Sequence, residues 1–237
     1  MIYLYFIEKQ NILVIYMYTI PEDELVKNTF YITYAFLMTT ATITFIEAMR
    51  TNDKNIRNIL NLETCISVVA AFFYGKFVID LETNVDYDKI NTTRYVDWAI
   101  TTPIMLLVLV LAFLYNNKEG SLNFAKYIII LILNYSMLGF GYSGEIGLLS
   151  KPLANGLGFV SFGTMYYYIY RHFIRGRNNF DNKLLFGIFV ILWALYGVFY
   201  FMDSVTRNVG YNILDLLSKC FVGIFFWAYF TKIFKIR

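Results

Sequence analysis

Asp215-Leu216-Leu217-Ser218-Lys219 lies inside the last apolar run of the chain, near 210–233, and Arg94-Tyr95-Val96-Asp97-Trp98-Ala99-Ile100-Thr101-Thr102-Pro103 opens another, near 93–115. Each of the four charges in them costs about 2.5–3.5 kcal/mol at the centre of a membrane helix, so they are tolerable only if they meet inside a bundle. The spacing allows this. Asp215 and Lys219 stand at i and i+4 on one helix face, and Arg94, Asp97 and Thr101 at i, i+3 and i+7 form one stripe on another. Two such stripes face to face make a neutral charged centre. A buried network that only fixes helix register would use the same residues. A lysine one turn from a carboxylate among apolar and aromatic residues is also the arrangement needed to form a Schiff base with an aldehyde and keep it protonated.

The rest of the chain supplies the bundle. Of 237 residues, 58% are hydrophobic and 16% charged, and mean hydropathy is +0.53, so lipid is the expected solvent. At roughly 20 apolar residues per crossing, seven spans fit, near 26–49, 59–79, 93–115, 124–143, 152–173, 184–203 and 210–233. The fold class expected is an all-α membrane protein, a seven-transmembrane-helix bundle. Residues 23–237 form its one domain. Residues 1–22 form an extracellular segment in which 1–19 read as an interfacial helix, because Glu8, Lys9, Gln10 and Asn11 interrupt the apolar run.

Arg50, Lys54, Arg57, Lys118, Lys126, Arg171, Arg175, Arg177, Lys183, Lys232, Lys235 and Arg237 all fall on one side of this plan. Lys27, Lys89, Lys151 and Arg207 fall on the other, with the acidic loop Asp80 to Asp88. The positive-inside rule then puts the N-terminus outside and the C-terminus in the cytoplasm. A net charge of +3 carried mostly in short loops argues against a nucleic-acid partner. His172 is the one histidine, Cys65 and Cys220 read as packing residues, and no metal spacing is present, so neither a triad nor a metal centre is expected. The expected partners are the lipid bilayer and small cations or protons, with association into a homo-oligomer left open.

The two quoted stretches together resemble the third-helix and retinal-lysine motifs of microbial rhodopsins, and the likeness extends over about 25–235. Trp193, Tyr196, Gly197 and Tyr200 take the places of that family's Trp, Tyr, Pro and Trp pocket residues, the last two departing from the pattern. The resemblance implies a bacteriorhodopsin-like bundle, no enzymatic activity, and all-trans-retinal bound covalently to Lys219. It implies Asp97 as proton acceptor, Asp215 as second counter-ion, Arg94 and Thr101 in the counter-ion network, and Tyr74 and Tyr196 as hydroxyls on Asp215. Trp98, Thr102, Met105, Asn134, Met137, Gly141, Ser161, Met165, Trp193, Gly197, Tyr200 and Ser218 would surround the polyene. Met105 and Ser218 point to green or blue-green absorption.

Where pumps of this family commonly carry a third carboxylate, this chain has Val108, and Val205 and Arg207 stand near the places of the extracellular carboxylate pair. Glu63, in Asn61-Leu62-Glu63-Thr64-Cys65-Ile66-Ser67, reads as a snorkelling carboxylate, a substitute proton donor or a gate, with Asn212 and Glu47 as further path residues. This second-helix stretch is similar to viral rhodopsins of giant algal viruses, whose first group includes light-gated cation channels. A cation channel is therefore the leading expectation. The alternatives are an outward proton pump and a sensory photoreceptor.

Overall fold

The computed structural model describes residues 22–83 and 86–231. The interfacial helix expected over 1–19 lies outside the described residues, as do Lys232, Lys235 and Arg237. The described residues form seven helices and no strand: α1 Glu22–Arg50, α2 Lys54–Thr83, α3 Tyr87–Asn116, α4 Phe124–Glu145, α5 Lys151–Ile169, α6 Phe180–Phe199 and α7 Ser204–Thr231. A π-helical turn, Tyr170–Ile174, ends α5, and a second, Leu216–Phe221, interrupts α7 around Lys219. π-turns of this kind are most often found at functional sites.

Short polar side chains start the helices. Asp53, Asp86, Asn123, Asn179 and Asp203 each accept a hydrogen bond from a backbone N–H in the first turn of α2, α3, α4, α6 and α7. Each satisfies a donor that has no partner within its helix. Pro152 opens α5, where its missing N–H does no harm. Pro103 interrupts α3, and Tyr135 of α4 donates its hydroxyl to the Ala99 carbonyl that the proline leaves without its usual partner, at 3.1 Å.

Two expected boundaries shift. The sixth span stops at Phe199 instead of 203, and the seventh starts at Ser204 instead of 210. The first turns of α7, Ser204-Val205-Thr206-Arg207-Asn208, are polar because they meet other polar groups inside the bundle, so a search for apolar runs starts the helix too late. Among the described residues six helices are long and apolar enough to cross a membrane, and α5, rich in glycine and tyrosine, is not one of them. α5 packs chiefly on α4, and α1 on α2. The most apolar stretch of α3 is 61% buried against 17% for α4, which makes α3 the axis of the bundle. Met49, Phe72, Ile132, Val160, Tyr167 and Ile191 are exposed around the outside, as a lipid-facing surface requires. Cys65, expected to pack inside, is on that surface, and Cys220 is buried; both are free thiols.

Candidate functional site

The four expected charges meet. Lys219 Nζ donates to Asp97 Oδ2 at 2.7 Å and lies 3.2 Å from Asp215 Oδ1. Tyr74 and Tyr196 donate their hydroxyls to the two oxygens of Asp215 at 2.8 and 2.7 Å, while Arg94 Nη1 stands 3.6 Å from Oδ2. Arg94 Nη2 donates to Asn212 Oδ1 at 2.5 Å and to Asn208 Oδ1 at 3.3 Å. The guanidinium is enclosed by the rings of Phe30, Phe77, Tyr74 and Tyr211 at 5.0–5.7 Å. All four charged side chains are buried, so their attraction is weakly screened, and two cations facing two carboxylates leave no net charge. Asp97 keeps one oxygen, Oδ1, without a hydrogen-bond partner among the described residues. Thr101 turns its hydroxyl back to the Asp97 carbonyl at 2.9 Å and does not join the ion pairs.

A cavity runs from Lys219 between α3, α4, α5 and α6. Trp98, Thr102, Met105, Met137, Gly141, Trp193, Tyr196, Gly197, Tyr200 and Ser218 line it. Asn134 stands one layer back, donating to Thr102 Oγ1 at 2.8 Å. Ser161 and Met165 are both buried, Met165 within the main apolar core, and the α5 residues that line the cavity are Ala154, Asn155, Gly158, Phe159 and Phe162. Gly197 sits where a Cβ would lie 2.5 Å from the ring of Phe159, so this glycine lets α6 close on α5. Tyr95, Leu138 and Tyr211 complete the lining.

Glu63 is not at the interface. Although it lies only nine residues into α2, it is 2% exposed and has neither ion pair nor hydrogen bond with another described residue. A Cβ placed on Gly223 would lie 3.1 Å from Glu63 Oε2 and 2.9 Å from Thr40 Cγ2, so the glycine leaves the carboxyl its room. Gly223 is four residues beyond Lys219 on α7, roughly 6 Å along the axis, on the side opposite Asp215. Glu47 instead pairs with Arg50 at 3.7 Å at the end of α1. Val108 is fully buried among Leu106, Leu109 and Val110. Asn212 also donates to Thr29 Oγ1 at 2.8 Å.

At the other end, Arg207 departs from the expected boundary. It is not a loop residue: its side chain is 3% exposed and donates to Glu145 Oε1, at the end of α4, at 2.8 Å, with exposed Asp88 at 4.0 Å. Sequence reading missed Glu145 because a charge at a helix end normally reaches water. Asp203 caps α7, and its acceptance of the Val205 and Thr206 N–H groups holds its carboxyl below the usual aspartate range.

A lysine held between two carboxylates at the end of an apolar, aromatic cavity suits a conjugated aldehyde. The profile of the bacteriorhodopsin-like protein family matches residues 25–233. The chain belongs to the bacteriorhodopsin-like family. Bacteriorhodopsin-like proteins are multi-pass membrane proteins that bind retinal through a lysine, and the fold and lysine-centred cavity here accord with that. The crystal structure of viral rhodopsin OLPVRII is 57% identical, covers 89% of this chain and 100% of that one, and superposes with a TM-score of 0.84. The green-light absorbing proteorhodopsin of Gamma-proteobacterium EBAC31A08 is 26% identical over 224 residues, 86% of each chain. Xanthorhodopsin, described as a light-driven ion pump with dual chromophore, shares the fold at 20% identity and a TM-score of 0.72, over 88% of this chain and 93% of that one.

Proposed function

We propose that this protein is a light-driven proton translocator in which Lys219 carries all-trans-retinal. The observation that carries the reading is the axial order of carboxyls on either side of Lys219. Asp97 and Asp215 touch its Nζ on one side, and Glu63 is sealed against Gly223 one turn away on the other. Retinal, when bound, supplies a polyene whose light-driven isomerisation displaces the lysine end of the site. The chain's own groups do the rest. The proton on Lys219 Nζ moves along the 2.7 Å contact to Asp97, which has a free oxygen, while two hydroxyls and Arg94 are directed at Asp215. A carboxyl buried without a cation is neutral at rest, so Glu63 holds a proton to return to Nζ from the opposite side. Glu63 then takes the place that the apolar Val108 cannot fill.

The charge pattern of the loops supports an outside N-terminus and a cytoplasmic C-terminus, so the proton leaves outward. Met105 and Ser218 on the cavity wall support green or blue-green absorption, and a protein absorbing only in the violet would sink that part.

One observation favours the cation channel as a second reading. Thr29, Thr33, Thr40 and Thr44 run along α1 beside Asn212 and Glu63, a polar seam that could wet. Against it stand two buried ion pairs, Arg94 with Asp215 and Arg207 with Glu145, which fill the bundle interior on the Asp215 side of Lys219. Photocurrents in voltage-clamped cells decide. A pump keeps one sign at all voltages and loses its current in Asp97→Asn; a current that reverses with the ion gradient means a channel. Unchanged currents in both Asp97→Asn and Glu63→Gln would remove these residues from the path altogether.

A further inference from the structure

An apolar polyene dissolves in the bilayer and not in water, so its way to Lys219 starts at the lipid-facing side of the bundle. The axial approaches are filled, by the buried Arg207–Glu145 pair on the Asp215 side and by Val108, Leu109 and Phe113 on the other. Three seams around the cavity are closed by tight packing at a glycine. A Cβ on Gly141 would lie 2.7 Å from Tyr95 Oη, one on Gly144 2.6 Å from Ala154 Cβ, and one on Gly210 2.3 Å from the Phe199 ring, and Tyr95 and Ala154 are buried. The seam between α5 and α6 is different. Gly197 leaves its space to the ring of Phe159, and among the described residues that line the cavity Phe159 alone is exposed, at 38%. One ring therefore stands between the cavity and the outside. Gly156 and Gly163, three residues before it and four after it on the same face of α5, are exposed, and a Cβ on either would meet nothing within 4 Å. The ring has open space on its own helix to swing into. One hydrogen bond spans the seam beside it, from Asn155 Nδ2 to the Gly197 carbonyl in the last turn of α6, at 3.1 Å.

We propose that retinal enters from the bilayer between α5 and α6, with the ring of Phe159 as the door. This rests on retinal as the occupant of the cavity. Opening swings the ring outward toward Gly156 or Gly163, and the place at Gly197 where no Cβ stands becomes the way into a cavity that reaches Lys219. Closing returns the ring over Gly197, so the side chain that lets the polyene in then shuts it off from lipid. Phe162, whose ring stands edge-on to Phe159 at 5.9 Å, gives the closed position a second contact.

The test follows uptake by the retinal-free full chain in phosphatidylcholine vesicles to which retinal is added, with the growth of the visible band as the readout. Phe159→Ala takes up retinal on the order of 10-fold faster than the native chain. The double variant Gly156→Leu with Gly163→Leu, whose new side chains fill the open space beside the ring, takes it up about 10-fold more slowly. Its band keeps the native position, because neither glycine lines the cavity. Retinol, an alcohol that cannot condense with Lys219, gives the same order of rates by quenching of tryptophan fluorescence, so the quantity read is entry and not reaction at the lysine. A native uptake rate in Phe159→Ala, or in the double glycine variant, overturns the door while the reading of the cavity stands. A native chain that forms no band with retinal removes the occupant, and both fall.

Discussion

The two halves of the bundle, divided at Lys219, are built on opposite plans. Toward the N-terminal end of α7 the buried charges are wired together: Asp215, Arg94, Asn212 and Asn208 form one connected set, and Arg207 with Glu145 forms a second buried pair beyond it. Toward the C-terminal end the interior is chiefly Leu, Ile, Val and Phe, and into it is set one isolated carboxyl, Glu63. A connected network holds charge in fixed positions and loses much when one member is removed. An isolated neutral acid in an apolar wall holds no charge at rest and stays closed until something moves. On the proposed reading the contrast suits one-way transport, with the wired half accepting a proton at once and the dry half opening before it returns one.

The contrast can be broken at its hinge. Lys219→Ala should abolish the visible absorption band on adding retinal; a band of native position and strength would remove the lysine from the site. Next comes the wired half. Glu145→Gln leaves Arg207 buried with only exposed Asp88 nearby, and should destabilise the protein by about 3 kcal/mol, read from denaturation of the retinal-free chain. A loss near zero would mean that the pair is no more than a surface contact. In the dry half, Gly223→Ala crowds the Glu63 carboxyl and should slow proton return several-fold in flash experiments while leaving the first transfer to Asp97 unchanged. The smallest effect is at the outer rim. Because Asp203 has its pKa lowered by folding, its cap stabilises α7 above the unfolded aspartate value of about 3.9 and is lost as pH falls through the lower folded value. Amide exchange at Val205 and Thr206 should accelerate in that acid window in the native protein and at all pH values in Asp203→Ala.

The wired half was largely legible from the sequence. Charges in apolar runs are costly enough that spacing alone predicts their meeting, and Arg94, Asp97, Asp215 and Lys219 do meet. What escaped reading has physical reasons. Arg207 and Glu145 each stand near a helix end, where one residue cannot show that its partner lies on another helix. Glu63 reads as an interfacial group because α2 begins nearby; its burial depends on Gly223, far away in the chain, which leaves space that no local pattern announces.

α5 has a consequence for how the protein is made. Among the described residues six helices are long and apolar enough to cross a membrane, and α5 is the least apolar of the seven by that measure. Its glycines and tyrosines gain their environment from α4, against which it packs. During synthesis α5 should therefore enter the membrane as the second arm of a hairpin with α4. Substitutions that weaken that hairpin should act before any chromophore is bound, as chains rejected at the insertion machinery and lost to degradation.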